Sequence, residues 1–181
     1  IFSDRIEMAN EMFKNYNFEA ILVERGDNSI LFTECDALAP CATGGILNPD
    51  TIPHIQAKII CGASNNQLAD AIRDDNALKE RGIMYIPDFL TNRMGIVNCA
   101  NEQAGYVNND PFIERHLSQD WEHSVYQTTL KVLKQSIMNN MAPGQVALAE
   151  ADRLSEMEHP IFGHRGQQII NSLVENKWEQ A

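Results

Sequence analysis

Residues 58–68, KIICGASNNQL, combine a short apolar run with a segment of small and polar residues. Residues 58–61 have the length and the apolar character of a buried strand, and Gly62 begins a stretch that favours a turn. The same order recurs at residues 35–38 and 82–86, where apolar runs are again followed by small or turn-forming residues. This recurrence predicts several strands that end in similar loops.

Segments with helical periodicity alternate with these runs. Residues 67–81 carry apolar side chains at helical spacing, residues 5–16 have one apolar face, and residues 20–23 form a further strand-like run. Short continuous apolar strands that alternate with helices are typical of a parallel sheet covered on both faces. The sequence therefore predicts a doubly wound α/β domain.

After Pro87 the helical pattern dominates. Helices are predicted at residues 94–107, 121–141, 146–157 and 166–178. We therefore predict two parts, a sheet-containing domain at residues 1–115 and a helical C-terminal tail at residues 116–181 that packs on it.

Composition excludes several classes of function. No run of about 18 apolar residues occurs, so no membrane span is predicted, and the net charge of −11 argues against a nucleic-acid partner. The cysteines have no zinc-like spacing, and three of the four lie in apolar stretches, which predicts buried thiols in a reducing, cytoplasmic compartment: Cys35, Cys41, Cys61 and Cys99. The first residue is Ile1 rather than Met, so we expect a piece of a longer protein.

The predicted strand ends carry small residues and short polar side chains. Ligands of open parallel sheets bind outside these carboxyl ends, where small residues allow close approach and amides both donate and accept hydrogen bonds. Each residue also has a local explanation: Asp4, Asn65 or Asn66, and Asn92 could cap helices, Gly44-Gly45 could be a turn, and the acidic cluster at residues 70, 74 and 75 is typical of a solvated helix face. Their predicted convergence on one sheet edge favours a binding site.

Three segments resemble one family. Residues 36–53, DALAPCATGGILNPDTIP, residues 57–68, AKIICGASNNQL, and residues 82–98, GIMYIPDFLTNRMGIVN, closely resemble the amino-acid dehydrogenases that act on glutamate, leucine, phenylalanine and valine. The resemblance is nearest to the leucine, phenylalanine and valine branch. It covers residues 1–110 and, more loosely, the helical tail.

The resemblance implies oxidative deamination, in which hydride passes from an L-amino acid to NAD and the imine hydrolyses to a 2-oxo acid and ammonia. It also implies a Rossmann-type domain that lacks its first strand, its glycine-rich loop and the preceding lysine-bearing domain. The fragment would then hold no catalytic residue and be inactive alone, and the parent would be a homo-oligomer. A non-catalytic nucleotide-binding or scaffolding relative is the alternative.

Two regions of the cofactor site follow from the resemblance. Asp4 matches the acidic residue that ends the second strand and accepts hydrogen bonds from ribose hydroxyls, which favours NAD over NADP, although Arg5 could instead bind a 2′-phosphate. Ala39, Pro40 and Cys41 match the loop beside the nicotinamide, where Cys41 is expected to pack rather than to act as a nucleophile.

Asn65 matches the asparagine that binds the nicotinamide side of the cofactor, and Asn92 matches the one between nicotinamide and substrate. The family has Asn-Ala-Gly-Gly where this chain has Asn92-Arg93-Met94-Gly95. Two long side chains therefore replace small ones beside the expected substrate pocket. Either Arg93 and Met94 turn away or they reshape the pocket, which would suit an aromatic amino acid.

Overall fold

Three short parallel strands form the sheet of the computed structural model, which describes residues 2–24, 26–103, 105, 108–158, 163, 165–175 and 177. They are β1 (Ala37–Leu38), β2 (Ile59–Ile60) and β3 (Met84–Tyr85), arranged in the order β1-β2-β3. Ala37 pairs with Ile59, and Ile59 pairs with Met84. Because all three strands run in the same direction, the loops that follow them leave the sheet at one edge. All three lie within the apolar runs from which they were predicted.

Helices make up most of the remaining regular structure in the described residues. They are α1 (Phe2–Met12), α2 (Arg73–Glu80), α3 (Asp88–Thr91), α4 (Met94–Gln103), α5 (Pro111–Leu117), α6 (Val125–Asn139), α7 (Pro143–Ser155) and α8 (Arg165–Glu175), with 3₁₀ turns at Ser29–Phe32 and Ile52–His54. Side-chain oxygens of Asp110 and Ser124 cap α5 and α6 by accepting hydrogen bonds from backbone N–H groups of the first turns. None of the helices within the described ranges has the length and apolarity needed to cross a membrane.

The core lies between one face of the sheet and α2. Ile60, Tyr85 and Leu78 are buried there together with Leu47 and Ile55. A second cluster joins α3, α6 and α7 through buried apolar side chains at Leu90, Val132, Val146 and Ala147. On the opposite face of the sheet, Ile59 and Met84 remain 38% and 40% exposed. The described residues therefore cover one face of the sheet fully and the other only in part, whereas two covered faces were predicted.

The resemblance implies a strand that ends at Asp4, and the sequence pattern predicts another at residues 20–23, but neither strand is present in the described residues. Ile1 lies outside them, and Phe2 already begins α1, so Asp4 lies in the first turn of a helix rather than at the end of a strand. Residues 20–23 have no regular structure, and Ile21 and Leu22 are largely exposed. A strand needs a neighbour to pair its backbone groups. β1 is one of the two edge strands of the sheet, and no described segment pairs along its free edge.

Helix α2 begins six residues later than the predicted start at residue 67. Residues 67–69 instead run alongside Leu47, whose N–H donates to the Gln67 carbonyl and whose carbonyl accepts from Ala69 N–H at 3.0 and 2.9 Å. The carboxylate of Asp70 then accepts hydrogen bonds from Ile72 and Arg73 N–H groups and so initiates the helix. Neither Asn65 nor Asn66 therefore caps α2.

Candidate functional site

The loops after the three strands are joined into one surface, here called the strand-end rim (residues 39–41, 61–66 and 91–93). Ser64 connects the first two loops, because its backbone N–H and its hydroxyl both donate to the Pro40 carbonyl at 3.0 Å. Thr91 connects the second and third loops, because its hydroxyl donates to the Gly62 carbonyl at 2.8 Å. Sequence reasoning did not single out Ser64 or Thr91, although both hydroxyls lie in the predicted strand-end loops.

Asn92 and Asn65 meet on this rim. The Asn92 amide nitrogen donates to the Asn65 side-chain oxygen at 2.5 Å and to the Ala63 carbonyl at 3.4 Å. Asn65 is exposed, and its own amide nitrogen makes no hydrogen bond within the described part of the chain. That amide can therefore donate to a carbonyl group of a ligand. Asn92 does not cap the helix that follows it, because its side-chain oxygen accepts no backbone N–H among the described residues and α4 begins only at Met94.

Two glycines allow the loops to approach this closely. A Cβ atom at Gly62 would lie 2.1 Å from the Pro40 carbonyl oxygen, and one at Gly44 would lie 2.7 Å from the Asn65 carbonyl oxygen. Both contacts are with backbone atoms, so a side chain at either position would force the loops apart. Gly45 N–H donates to the Asn66 carbonyl at 2.7 Å, and Asn66 itself has a φ of 53°. The Gly44-Gly45 pair therefore supports the Asn65 loop as well as making a turn.

Asp4 is not connected to the strand-end rim. It is exposed in α1, and the hydrogen bonds of α1 within the described residues stay inside residues 2–20. Pro40, Asn65 and Asn92 are thus brought together as predicted from the sequence pattern, whereas no hydrogen bond or ion pair of the described residues joins Asp4 to them.

The cysteine thiols are more exposed than predicted. Cys35 is half-buried, but Cys41, Cys61 and Cys99 are exposed, so the prediction of buried thiols was wrong. Although Cys61 is exposed as a residue, desolvation by the atoms around its sulfur raises the pKa of the thiol, and the neighbouring Cys41 raises it further. Cys41 and Cys61 therefore lie near each other on the strand-end rim.

Arg93 extends from the rim towards the loop between α5 and α6. Its Nη2 donates to the His123 carbonyl, and its buried Nε has no partner among the described residues. Burial lowers the pKa of the Arg93 guanidinium, and burial followed by the Arg93 and Arg115 charges lowers the pKa of His116. Met94, which follows, begins α4 and is half-buried.

An apolar groove of about 420 Å³ adjoins the rim between the sheet and α6. Cys61, Ile86 and Thr91 form one wall, and Tyr126, Leu130 and Leu133 lie on the other. Within the described ranges, no group of three or more His, Cys, Asp or Glu side chains is arranged to hold a metal ion.

The chemistry that the strand-end rim offers is binding. The exposed rim residues Ala39 and Ala63 have small side chains that let a flat ring approach the backbone, and the exposed Asn65 amide can pair with a carboxamide. Apart from Arg93, the titratable side chains of the rim are the thiols of Cys41 and Cys61. A dinucleotide with a nicotinamide carboxamide fits this set of donors and acceptors.

Known proteins resemble this chain in sequence. A family model described as Glutamate/Leucine/Phenylalanine/Valine dehydrogenase matches residues 4–158. Leucine dehydrogenase of Bacillus cereus is 40% identical over 129 residues, which are 71% of this chain and 32% of that protein. L-tryptophan dehydrogenase of Nostoc punctiforme is 37% identical over 142 residues, 76% of this chain and 37% of that protein. The chain thus spans about a third of the length of these relatives.

Solved structures show the same fold. The crystal structure of L-tryptophan dehydrogenase from Nostoc punctiforme matches with a TM-score of 0.67 and 33% identity over 83% of this chain and 41% of that one. A hetero-hexameric glutamate dehydrogenase from Thermus thermophilus matches with a TM-score of 0.53 and 15% identity, covering 83% of this chain and 36% of that one. The second match supports the fold alone.

Proposed function

Because this chain belongs to the glutamate, leucine, phenylalanine and valine dehydrogenase family, we propose that it is the cofactor-binding part of an NAD-dependent L-amino-acid dehydrogenase. The reaction is the oxidative deamination of an amino acid to a 2-oxo acid and ammonia, with NAD as the hydride acceptor when it is bound. The chain spans about a third of the length of its relatives, so we place the lysine-bearing catalytic domain that the resemblance implies in a part of the parent outside these residues. The 181-residue chain alone is then inactive.

The hydrogen bond between Asn92 and Asn65 is the observation that best supports this proposal. It ties the loops after two neighbouring strands together and leaves the Asn65 amide nitrogen exposed. In the proposed complex, Asn65 and Asn92 orient the nicotinamide carboxamide, and the loop at Ala39, Pro40 and Cys41 packs against the ring. These side chains bind and orient the cofactor, and no proton transfer is assigned to them.

The preference for NAD over NADP is a proposal that depends on Asp4. A carboxylate at this position accepts hydrogen bonds from ribose hydroxyls and repels a 2′-phosphate. Arg5 beside it could bind that phosphate instead. Comparing turnover of the longer parent protein with NAD and NADP decides the point, and a preference for NADP would reject the assignment to Asp4.

We propose a branched-chain or aromatic L-amino acid as substrate, in keeping with the leucine, tryptophan, valine and phenylalanine dehydrogenases among the relatives. Arg93 and Met94 lie where the family has small residues and are placed at the substrate side of the rim. We also propose that the parent protein is cytoplasmic and assembles as an oligomer, as family members often do.

The decisive experiment is a panel of L-amino acids offered to the longer parent protein with NAD, followed by NADH absorbance. Turnover of a branched-chain or aromatic amino acid is expected. A non-catalytic nucleotide-binding or scaffolding relative, which the unusual Arg93-Met94 pair favours, would bind NAD and oxidise none of the panel.

A further inference from the structure

Arg93 joins the turn at Asn92 to a distant loop. Its Nη2 donates to the backbone carbonyl of His123, thirty positions along the chain, while the preceding residue, Asn92, contacts Asn65. Arg93 makes no ion pair within the described ranges and is partly buried. Keeping a guanidinium partly buried without a counter-ion is costly, so its hydrogen bond should have a structural use.

The loop that receives Arg93 is itself firmly held. Trp121 lies at its centre, with the rings of His116 and His123 at 4.8 and 5.4 Å and the Arg115 guanidinium 4.8 Å from the Trp121 ring centroid. Ser124, fully buried, ends the loop and caps α6 through Gln127 N–H at 3.1 Å. The His123 carbonyl is therefore a fixed acceptor on a packed element.

We propose that Arg93 is a positioning residue that fastens the Asn92 turn to the α5–α6 loop and so holds the Asn92 amide against Asn65. In this role the guanidinium is directed towards the helical segment and does not contact the substrate. The coupling between Arg93 and the two asparagines stands on the structure alone, and its consequence for cofactor binding rests on the proposed function.

The coupling is tested in this chain by NMR of the side-chain amide groups. Arg93→Met keeps the alkyl length and removes the donors, and it is expected to shift the Asn92 and Asn65 amide signals. Arg93→Lys retains one donor group and should shift both signals less. Arg115→Met is the matched control. Like Arg93→Met it removes a guanidinium, here the one that lies over the Trp121 ring, so it should shift the Trp121 indole signal and leave the asparagine signals in place.

Two outcomes would overturn the proposal in this experiment. Unchanged Asn65 and Asn92 signals in Arg93→Met would show that the turn does not depend on Arg93. Equal shifts in Arg115→Met would show that both asparagines respond to any disturbance of the aromatic cluster. If Arg93→Met does not fold, the Arg93→Lys spectrum compared with that of Arg115→Met decides between the same outcomes.

The consequence for function is tested in the longer parent protein. Arg93→Met is expected to raise the KM for NAD about fivefold, as for one lost hydrogen bond, with kcat and the amino-acid KM little changed. A rise in the amino-acid KM alone would make Arg93 a substrate contact and reject its positioning role. Absence of dehydrogenase activity in the parent would reject the proposed function. The NMR comparison would still test the coupling between Arg93 and the two asparagines.

Discussion

The side chains of Asn92 and Asn65, 27 positions apart in sequence, meet with 2.5 Å between Nδ2 and Oδ1. Each belongs to a loop that follows one of two neighbouring parallel strands, β3 and β2. The pair exists only because the two strands end side by side. We therefore expect the two residues to act as one unit when they bind a ligand.

Substituting either asparagine is expected to weaken cofactor binding by a similar amount. In the longer parent, Asn65→Ala and Asn92→Ala should each raise the KM for NAD about tenfold, and the double variant should raise it far less than the product of the two, because each change already breaks the shared hydrogen bond. Steady-state kinetics with varied NAD measures this. Asn139→Ala, on the exposed end of α6, is the control, and independent effects of the two asparagines would argue against a joint role.

Gly62 should tolerate no side chain. Gly62→Ala would place a Cβ 2.1 Å from the Pro40 carbonyl oxygen, so we expect a loss of about 2–3 kcal/mol in the free energy of unfolding. Urea denaturation of this chain measures the loss. Gly95→Ala is the matched control, because a Cβ there meets no atom within 4 Å and alanine favours the helix α4 by about 1 kcal/mol. Equal stability of the two variants would contradict the close approach of the β1 and β2 loops.

Local sequence patterns were sufficient for some of the structure. The apolar runs before Ala39, Gly62 and Pro87 indicated the three strands, since a buried parallel strand needs only a few consecutive apolar residues. They could not show whether a run would find a pairing partner. Residues 20–23 have the same composition and form no strand beside the free edge of β1.

Hydrogen bonds and ion pairs that a periodicity pattern does not encode account for two further errors. Asp74 and Asp75 were predicted to face solvent, yet both are buried. Asp75 accepts a hydrogen bond from Gln145 N–H at the start of α7, 70 positions away, and Arg73 pairs with Asp74. Helical periodicity records only the spacing of polar and apolar residues. It cannot show that a backbone N–H group of another helix donates a hydrogen bond to the Asp75 carboxylate.

Stability should depend on pH through Asp75. Burial raises the pKa of Asp75 to about 6, partly offset by hydrogen bonds from Gln145 and Gly144 N–H groups. The fold therefore favours the protonated carboxyl. The protonated Asp75 carboxyl therefore adds to the free energy of unfolding. This stabilisation is fully present below the unfolded pKa of 3.8 and is lost as the pH rises from there through the folded pKa of about 6. The loss should be roughly 2–3 kcal/mol.

Urea denaturation between pH 4 and pH 7 measures this dependence as the difference between the wild-type chain and Asp75→Asn. The difference should change with pH because asparagine does not titrate. Asp152→Asn, on the exposed face of α7, is the control and should leave the wild-type pH dependence in place. A pH-independent difference between wild type and Asp75→Asn would show that burial does not perturb this carboxyl.

Thiol labelling can locate the cofactor on the strand-end rim. Cys41 and Cys61 lie on the rim, whereas Cys99 is exposed on α4. Because the thiolate is the reactive form, the raised pKa of Cys61 should slow its reaction with iodoacetamide. In the longer parent, saturating NAD is expected to slow the labelling of Cys41 and Cys61 several-fold, as measured by mass spectrometry of timed samples. Cys99 serves as the internal control, and protection of Cys99 alone, or of no cysteine, would place the cofactor elsewhere.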